Sequence, residues 1–147
     1  MTDYQKNDLL YVCSMIEYVA RKTKNHRKNI VFSLGEEGLK HQLKVANVNH
    51  SLSFEQVSDE WIEDYKIEAG NFDTISNCKY SIPTETSIGS VYQTLILSIS
   101  NEDNLVEQII NVFSSFISDE ISNFNSDLYY VNPNYIKCSY ESGELLA

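Results

Sequence analysis

Apolar side chains recur at intervals of three and four residues along almost the whole chain, and this spacing limits the fold more than any other feature. Such periodicity is typical of amphipathic α-helices. The 147 residues include only five glycines and two prolines, fewer breaks than a many-stranded sheet would need. The pattern therefore predicts an all-α protein, a compact bundle of six to seven helices.

Capping residues predict where the helices begin. Thr2 and Ser53 each stand three residues before a glutamine, as in a capping box. Asn132 precedes a proline, which is favoured in the first turn of a helix. Asn25 and Thr84 are the expected caps of the second and fifth helices. The predicted helices span about residues 2–22, 25–34, 36–48, 53–65, 84–99, 102–124 and 133–142. The first and the sixth carry the most apolar surface, so we expect the core to be built around them.

Charge divides the chain into two unequal parts. Residues 1–66 hold nine Lys and Arg against ten acids, a net charge of −1, whereas residues 67–147 hold two against eleven, a net charge of −9. Residues 67–83 lack clear periodicity and are predicted to form a loop. We expect one domain over 1–147, or two helical subdomains that share a core: 1–66, which bears a basic patch, and the acidic 84–147.

The overall charge and the cysteines limit the class of protein. A net charge of −10 and a pI near 4.6 argue against tight, non-specific binding to nucleic acid or anionic membrane. No apolar run approaches the length of a membrane span. Three cysteines, odd in number and far apart in sequence, favour a reducing compartment over a disulfide framework. We expect a cytoplasmic protein.

No catalytic, cofactor-binding or metal-binding pattern stands out. The three histidines lie nine or more residues apart and form no known metal motif. Cys78 with His50 and Asp73 could form a nucleophilic site, and Glu120 falls within an apolar arc that could raise its pKa. A plain loop cysteine and a solvated glutamate are the favoured interpretations. The sequence therefore predicts a non-enzymatic protein without a cofactor or metal.

Tyrosines and the acidic fourth predicted helix suggest a surface for another protein. Ten tyrosines are many for this length, and tyrosine is enriched at protein interfaces. An acidic surface would attract a basic partner and accelerate the encounter; a homo-oligomer remains open. The candidate partner-binding residues are Tyr4, Tyr11, Tyr18, Glu55, Asp59, Glu63, Tyr129, Tyr130 and Tyr135.

A helix-turn-helix regulator of DNA is the alternative. Segment 30–34, the turn at Gly35 and helix 36–48 have suitable lengths, although Glu36 and Glu37 would oppose phosphate. Five basic residues lie within residues 21–28, and two more lie on the following helix. The candidate nucleic-acid contacts are Arg21, Lys22, Lys24, Arg27, Lys28, Lys40 and Lys44.

Residues 38–62 carry one resemblance to known proteins. The pattern consists of Gly38-Leu39, Leu43, Ala46, His50, Ser53-Phe54-Glu55, Val57 and Trp61-Ile62. It resembles small uncharacterised bacterial all-helical proteins, some of which are encoded beside ADP-ribosyltransferase-like proteins. The resemblance implies an accessory or antitoxin-like role and no catalytic residue. Together with the charge pattern, it favours a protein-protein interaction module, an antitoxin-like or immunity-like inhibitor.

Overall fold

The computed structural model describes residues 1–146 and is helical throughout its regular segments. Within these residues there are seven α-helices, a 3-10 turn at Leu128–Tyr130 and no β-strand. The helices are α1 (Asp3–Thr23), α2 (Arg27–Asn49), α3 (Phe54–Asp64), α4 (Glu85–Ile99), α5 (Leu105–Phe113), α6 (Phe116–Ile121) and α7 (Pro133–Ser142). The predicted all-α bundle is confirmed.

Four of the five helix starts predicted from capping residues are confirmed. The Thr2 hydroxyl accepts from the backbone N–H of Gln5, whose side chain accepts in return from the backbone N–H of Thr2. The side chains of Ser53, Thr84 and Asn132 cap the first turns of α3, α4 and α7. The prediction for α2 was wrong by one residue: the cap position is His26, and the Asn25 side-chain amide donates to the Glu68 carbonyl at 2.8 Å.

Helix α1 is the centre of the bundle, as its broad apolar surface predicted. It is buried without interruption over residues 11–17 and contacts α2, α3 and, most extensively, α4. The 102–124 segment does contribute to the core, as expected, but the main partner of α1 is α4 rather than that segment. Helices α1 and α4 approach closely because Gly89 of α4 lies against Ser14.

The long helix predicted over 102–124 is divided into α5 and α6. Ser115, between them, adopts an extended backbone (φ −87°, ψ 169°), and its hydroxyl donates to the Val112 carbonyl at 2.7 Å. Serine side chains that bond to nearby carbonyls compete with helix propagation. The apolar periodicity continues across the break because Phe113 and Ile117 are both buried, so the pattern alone does not reveal it.

Residues 67–83 contain no regular helix, as predicted, and they are attached to the core at defined points. Gly70 and Phe72 donate backbone hydrogen bonds to the carbonyls of Thr23 and Lys24 at 2.8 and 2.9 Å. The Asn125 side chain accepts from the Lys79 N–H at 2.7 Å and donates to a neighbouring carbonyl. The loop therefore lies along the end of α1 and the segment after α6.

Helix α2 bends at Gly35, where the backbone has φ +67° and ψ −177°. This combination of φ and ψ is essentially restricted to glycine. No atom lies within 4 Å of the position that a Cβ would occupy there. A side chain at this position would therefore destabilise the protein through backbone strain and not through a steric clash.

We expect Gly35→Ala to lower the free energy of unfolding by about 2 kcal/mol, because alanine must adopt this strained backbone. Urea unfolding followed by circular dichroism measures the loss. Gly143→Ala is the matched control, because Gly143 has a left-handed backbone (φ 84°, ψ 4°) at the end of the last helix. This substitution should lower the free energy of unfolding by about 1 kcal/mol. Equal stability of Gly35→Ala and the parent protein would contradict the assigned conformation.

Candidate interaction surface

The outer side of α3 is a strip of carboxylates. Val57 and Trp61 face the core and are buried, which leaves the other side of this eleven-residue helix to solvent. We call this strip the acidic face; it consists of Glu55, Asp59, Glu60, Glu63 and Asp64, all exposed. Helical periodicity therefore collects five negative charges on one short helix.

One cation balances part of the acidic face. Lys22 Nζ on α1 lies 2.6 Å from Asp59 Oδ1, and its hydrogen bond to Asp59 raises the pKa of Lys22. No other salt bridge in residues 1–146 reaches these five carboxylates. The acidic face consequently retains most of its negative charge.

The predicted contact tyrosines fall into three groups. Tyr4 and Tyr130 are 78% and 69% exposed, whereas Tyr18, Tyr129 and Tyr135 are half-buried. Tyr11 is not at the surface, which corrects its assignment as a partner contact. Its exposed fraction is 4%, its hydroxyl donates to the Asn49 carbonyl at 3.2 Å, and burial raises its pKa to about 12.

The basic residues at 21–28 do not form the predicted patch. Arg27 is 3% exposed and the side chain of Arg21 is largely buried; both are involved in ion pairs within the protein. Lys22 is paired with the acidic face, Lys28 is half-buried and Lys24 is exposed. A run of cations in sequence is thus divided between the interior and the surface.

Glu17 lies at the centre of a buried network. Its side chain is 2% exposed, and its oxygens accept from Arg27 Nε at 2.6 Å and from Arg21 Nε at 2.8 Å. Burial would lower the pKa of Arg27, but the attraction of Glu17 and Tyr92 outweighs it, and the net effect raises the pKa. Glu17 is buried because α1 is covered on all sides along residues 11–17.

Hydroxyl groups complete the network around Arg27. Its Nη1 donates to the Tyr92 hydroxyl at 2.9 Å, to Ser122 Oγ at 2.8 Å and to the Ser118 carbonyl at 3.0 Å. Burial raises the pKa of Tyr92 to about 12, so its hydroxyl stays protonated and donates to Ser118 Oγ. The network joins α1, α2, α4 and the end of α6, which indicates a role in holding these helices together.

The helix-turn-helix geometry is not present. Gly35 introduces a bend at a single residue within α2, whereas that motif needs a turn of three or four residues. Lys40 lies 3.1 and 3.6 Å from the carboxylates of Glu36 and Glu37, so much of its charge is balanced. Lys44 is exposed.

Of the residues considered for nucleophilic catalysis, Cys78 and Asp73 line one groove, but His50 is not part of it. The Cys78 thiol donates to the Tyr80 carbonyl at 3.4 Å, whereas the His50 ring lies against Tyr11 with 5.1 Å between ring centroids. The Asp73 carboxylate accepts from Ser76 and Ile75, mainly the former, and this lowers its pKa to about 2. Glu120 is exposed, as the favoured interpretation predicted.

Residues 1–146 contain neither a cluster of potential metal ligands nor a helix suited to span a membrane. No three His, Cys, Asp or Glu side chains lie together in an arrangement that could hold a metal ion. None of the helices combines the length and the apolar character needed to span a bilayer.

A groove of about 310 Å³ lies between α4, the 3-10 turn and α7, and sequence reasoning missed it. It was missed because its lining comes from segments far apart in the chain. The buried network was missed for a related reason, although Glu17 and Arg21 do stand four residues apart on α1. That spacing could have indicated an ion pair, but not its burial.

Comparisons with known proteins gave no match to a family model, a curated protein or a solved structure. The resemblance carried by residues 38–62 therefore stays a prediction.

Proposed function

We propose that this protein is a non-enzymatic interaction module whose acidic face binds a basic surface of another protein. In this role it acts as an antitoxin-like or immunity-like inhibitor or as an accessory protein. The observation that carries the proposal is the exposure of five carboxylates on α3, of which only Asp59 has a cationic partner in residues 1–146. A cytoplasmic location belongs to the same proposal and is supported by the three free thiols.

Electrostatics decide what kind of partner fits this face. Like charges on one side of a helix repel each other, and a cationic surface bound against them would relieve this repulsion. Complementary potentials mainly raise the association rate and make it sensitive to salt. A partner with lysine or arginine side chains along a convex or helical surface is therefore the expected ligand.

The half-exposed tyrosines could supply apolar contact around this charged centre. Tyr18 packs edge-on against Phe54, the first residue of α3, at 5.7 Å between ring centroids. Its neighbour one turn along α1 is Lys22, which reaches the acidic face. Tyr18 thus borders the carboxylates and supports a mixed polar and aromatic contact.

We expect neutralisation of the acidic face to weaken partner capture. At about 50 mM salt, the triple variant E55Q/E60Q/E63Q should recover roughly tenfold less partner from the native host than the parent protein does. Raising the salt concentration to about 500 mM should lower the recovery by the parent protein to a similar extent. Pull-down with quantification by mass spectrometry measures the recovery of each protein.

The matched control removes three charges from elsewhere on the surface. D103N/E107Q/E141Q changes exposed residues and alters the net charge by the same amount, so it should retain the partner. If both triples lose the partner equally, general acidity rather than the acidic face is responsible. If neither protein recovers a partner at any salt concentration, the proposal is wrong.

A further inference from the structure

We propose that the groove between α4 and α7 binds a small uncharged molecule that has an apolar body and a hydroxyl or carbonyl group. The site is separate from the acidic face, and the inference does not depend on the proposed interaction function. Three features carry it: the shape of the groove, the arrangement of its polar groups and its freedom from charge.

The groove has the dimensions of a small ligand site. Its volume of about 310 Å³ lies at the lower end of the range for ligand pockets. A cavity of about 150 Å³ takes benzene, so this groove has room for a single ring with a short side chain, about ten non-hydrogen atoms. One side is open to solvent, which gives such a molecule a route of entry.

The polar and apolar groups of the lining are segregated. Ser87, Ser90 and Thr94 repeat at helical spacing along one side of α4 and are exposed, which places their hydroxyls toward the opening. Leu95 on α4 and Ile136 on α7 are buried and form the floor. A ligand with an apolar end and one polar end would therefore bind in a single orientation.

The groove is the exception in a strongly charged part of the protein. Residues 67–147 carry a net charge of −9, yet no Asp, Glu, Lys, Arg or His lines the groove. A charged group that lies against the buried floor would lose hydration without gaining a counter-ion, since no lining residue carries a charge. An uncharged group loses much less hydration there, so the lining favours an uncharged ligand.

A peptide fits the same surface poorly. The walls are mainly side chains of helices, whose backbone N–H and C=O groups are used within the helices. An extended peptide would leave its own backbone groups without partners. A small molecule with a single polar group has no such requirement.

Three probes of similar size and different charge test the proposal: 2-phenylethanol, phenylacetate and 2-phenylethylammonium. We expect 2-phenylethanol to bind the parent protein with a Kd of about 1 mM, the range for a ligand of this size. The two charged probes should bind at least about tenfold more weakly. Titration of ¹⁵N-labelled protein by NMR should place the largest amide shifts within residues 87–95 and 129–136.

Variants at Ser90 separate this groove from other surfaces. S90F should fill the groove and abolish the shifts, whereas T86F alters an exposed residue of the same helix outside the groove and should leave them unchanged. S90D should reverse the preference, so that 2-phenylethylammonium binds more tightly than 2-phenylethanol. If S90F does not fold, S90D still tests the groove, because position 90 is exposed and should tolerate a carboxylate.

Several results would overturn the proposal. These are shifts spread over the whole surface, equal binding of all three probes, or retention of 2-phenylethanol binding in S90F. Binding of a capped apolar tripeptide without binding of 2-phenylethanol would assign the groove to a peptide instead.

Discussion

Replacement of Arg27 by methionine is expected to lower the free energy of unfolding by about 3–5 kcal/mol, because it leaves the buried Glu17 carboxylate with one oxygen unpaired. The present partner of that oxygen is Arg27 Nε at 2.6 Å. The Tyr92 and Ser122 hydroxyls also lose the hydrogen bonds that Arg27 donates to them. For a domain of this size the melting temperature should fall by roughly 10 °C. Chemical and thermal unfolding followed by circular dichroism measure both quantities.

Lys22→Met is the matched control, since Lys22 and Asp59 also approach to 2.6 Å. The two pairs differ in exposure rather than in distance: Asp59 is exposed, whereas Glu17 is 2% exposed. Exposed ion pairs contribute at most about 1 kcal/mol, so Lys22→Met should have a small effect. If Arg27→Met lowers the free energy of unfolding no more than Lys22→Met does, the buried network does not stabilise the protein as expected.

The double variant E17Q/R27M tests the coupling between the two groups. If the main cost of Arg27→Met is the unpaired oxygen of Glu17, whose carboxylate keeps only Arg21 as a partner, removal of that carboxylate charge should restore part of the stability. The loss in the double variant should then be smaller than the sum of the losses in the single variants. Strict additivity would assign the cost to lost packing of the long arginine side chain instead.

The sequence predicted the helices well because local signals specify them. Thr2, Ser53, Thr84 and Asn132 cap helices through contacts within three residues, and such contacts can be inferred from spacing. The break at Ser115 was missed because the apolar pattern persists through it. The pairing of α1 with α4 was missed because it depends on Gly89 and Ser14, which lie far apart in the chain.

The surface was predicted less completely than the fold, and burial is the reason. The acidic residues of α3 were correctly expected outside because they share one side of a short helix with a buried opposite side. Tyr11 and Arg27 were misjudged as surface residues because α1 and the start of α2 lie inside the bundle; most of their polar atoms form hydrogen bonds there, although Arg27 Nη2 has no partner in residues 1–146. A helical wheel places side chains around one axis and cannot show which sides other helices cover.

Gly89→Ala is expected to destabilise the protein by about 3 kcal/mol, at the upper end of the range for overpacking. A methyl group there would lie 2.8 Å from the Ser14 backbone N and 2.9 Å from its Cα, and it would also collide with Ser14 Oγ. The hydroxyl could rotate, but backbone atoms can move only if the two helices separate. Their contact is the most extensive in the bundle, so the separation would disturb the core broadly.

The sign of this effect distinguishes close packing from ordinary helix propensity. Alanine stabilises a helix interior by about 1 kcal/mol relative to glycine, so without the contact Gly89→Ala should raise stability. Ser90→Ala, the exposed neighbour, should change stability by less than about 0.5 kcal/mol. Adding Ser14→Ala to Gly89→Ala removes only the clash with the hydroxyl and should recover only part of the loss. An increase in stability of Gly89→Ala over the parent protein, measured by urea unfolding, would show that α1 and α4 do not cross at this position.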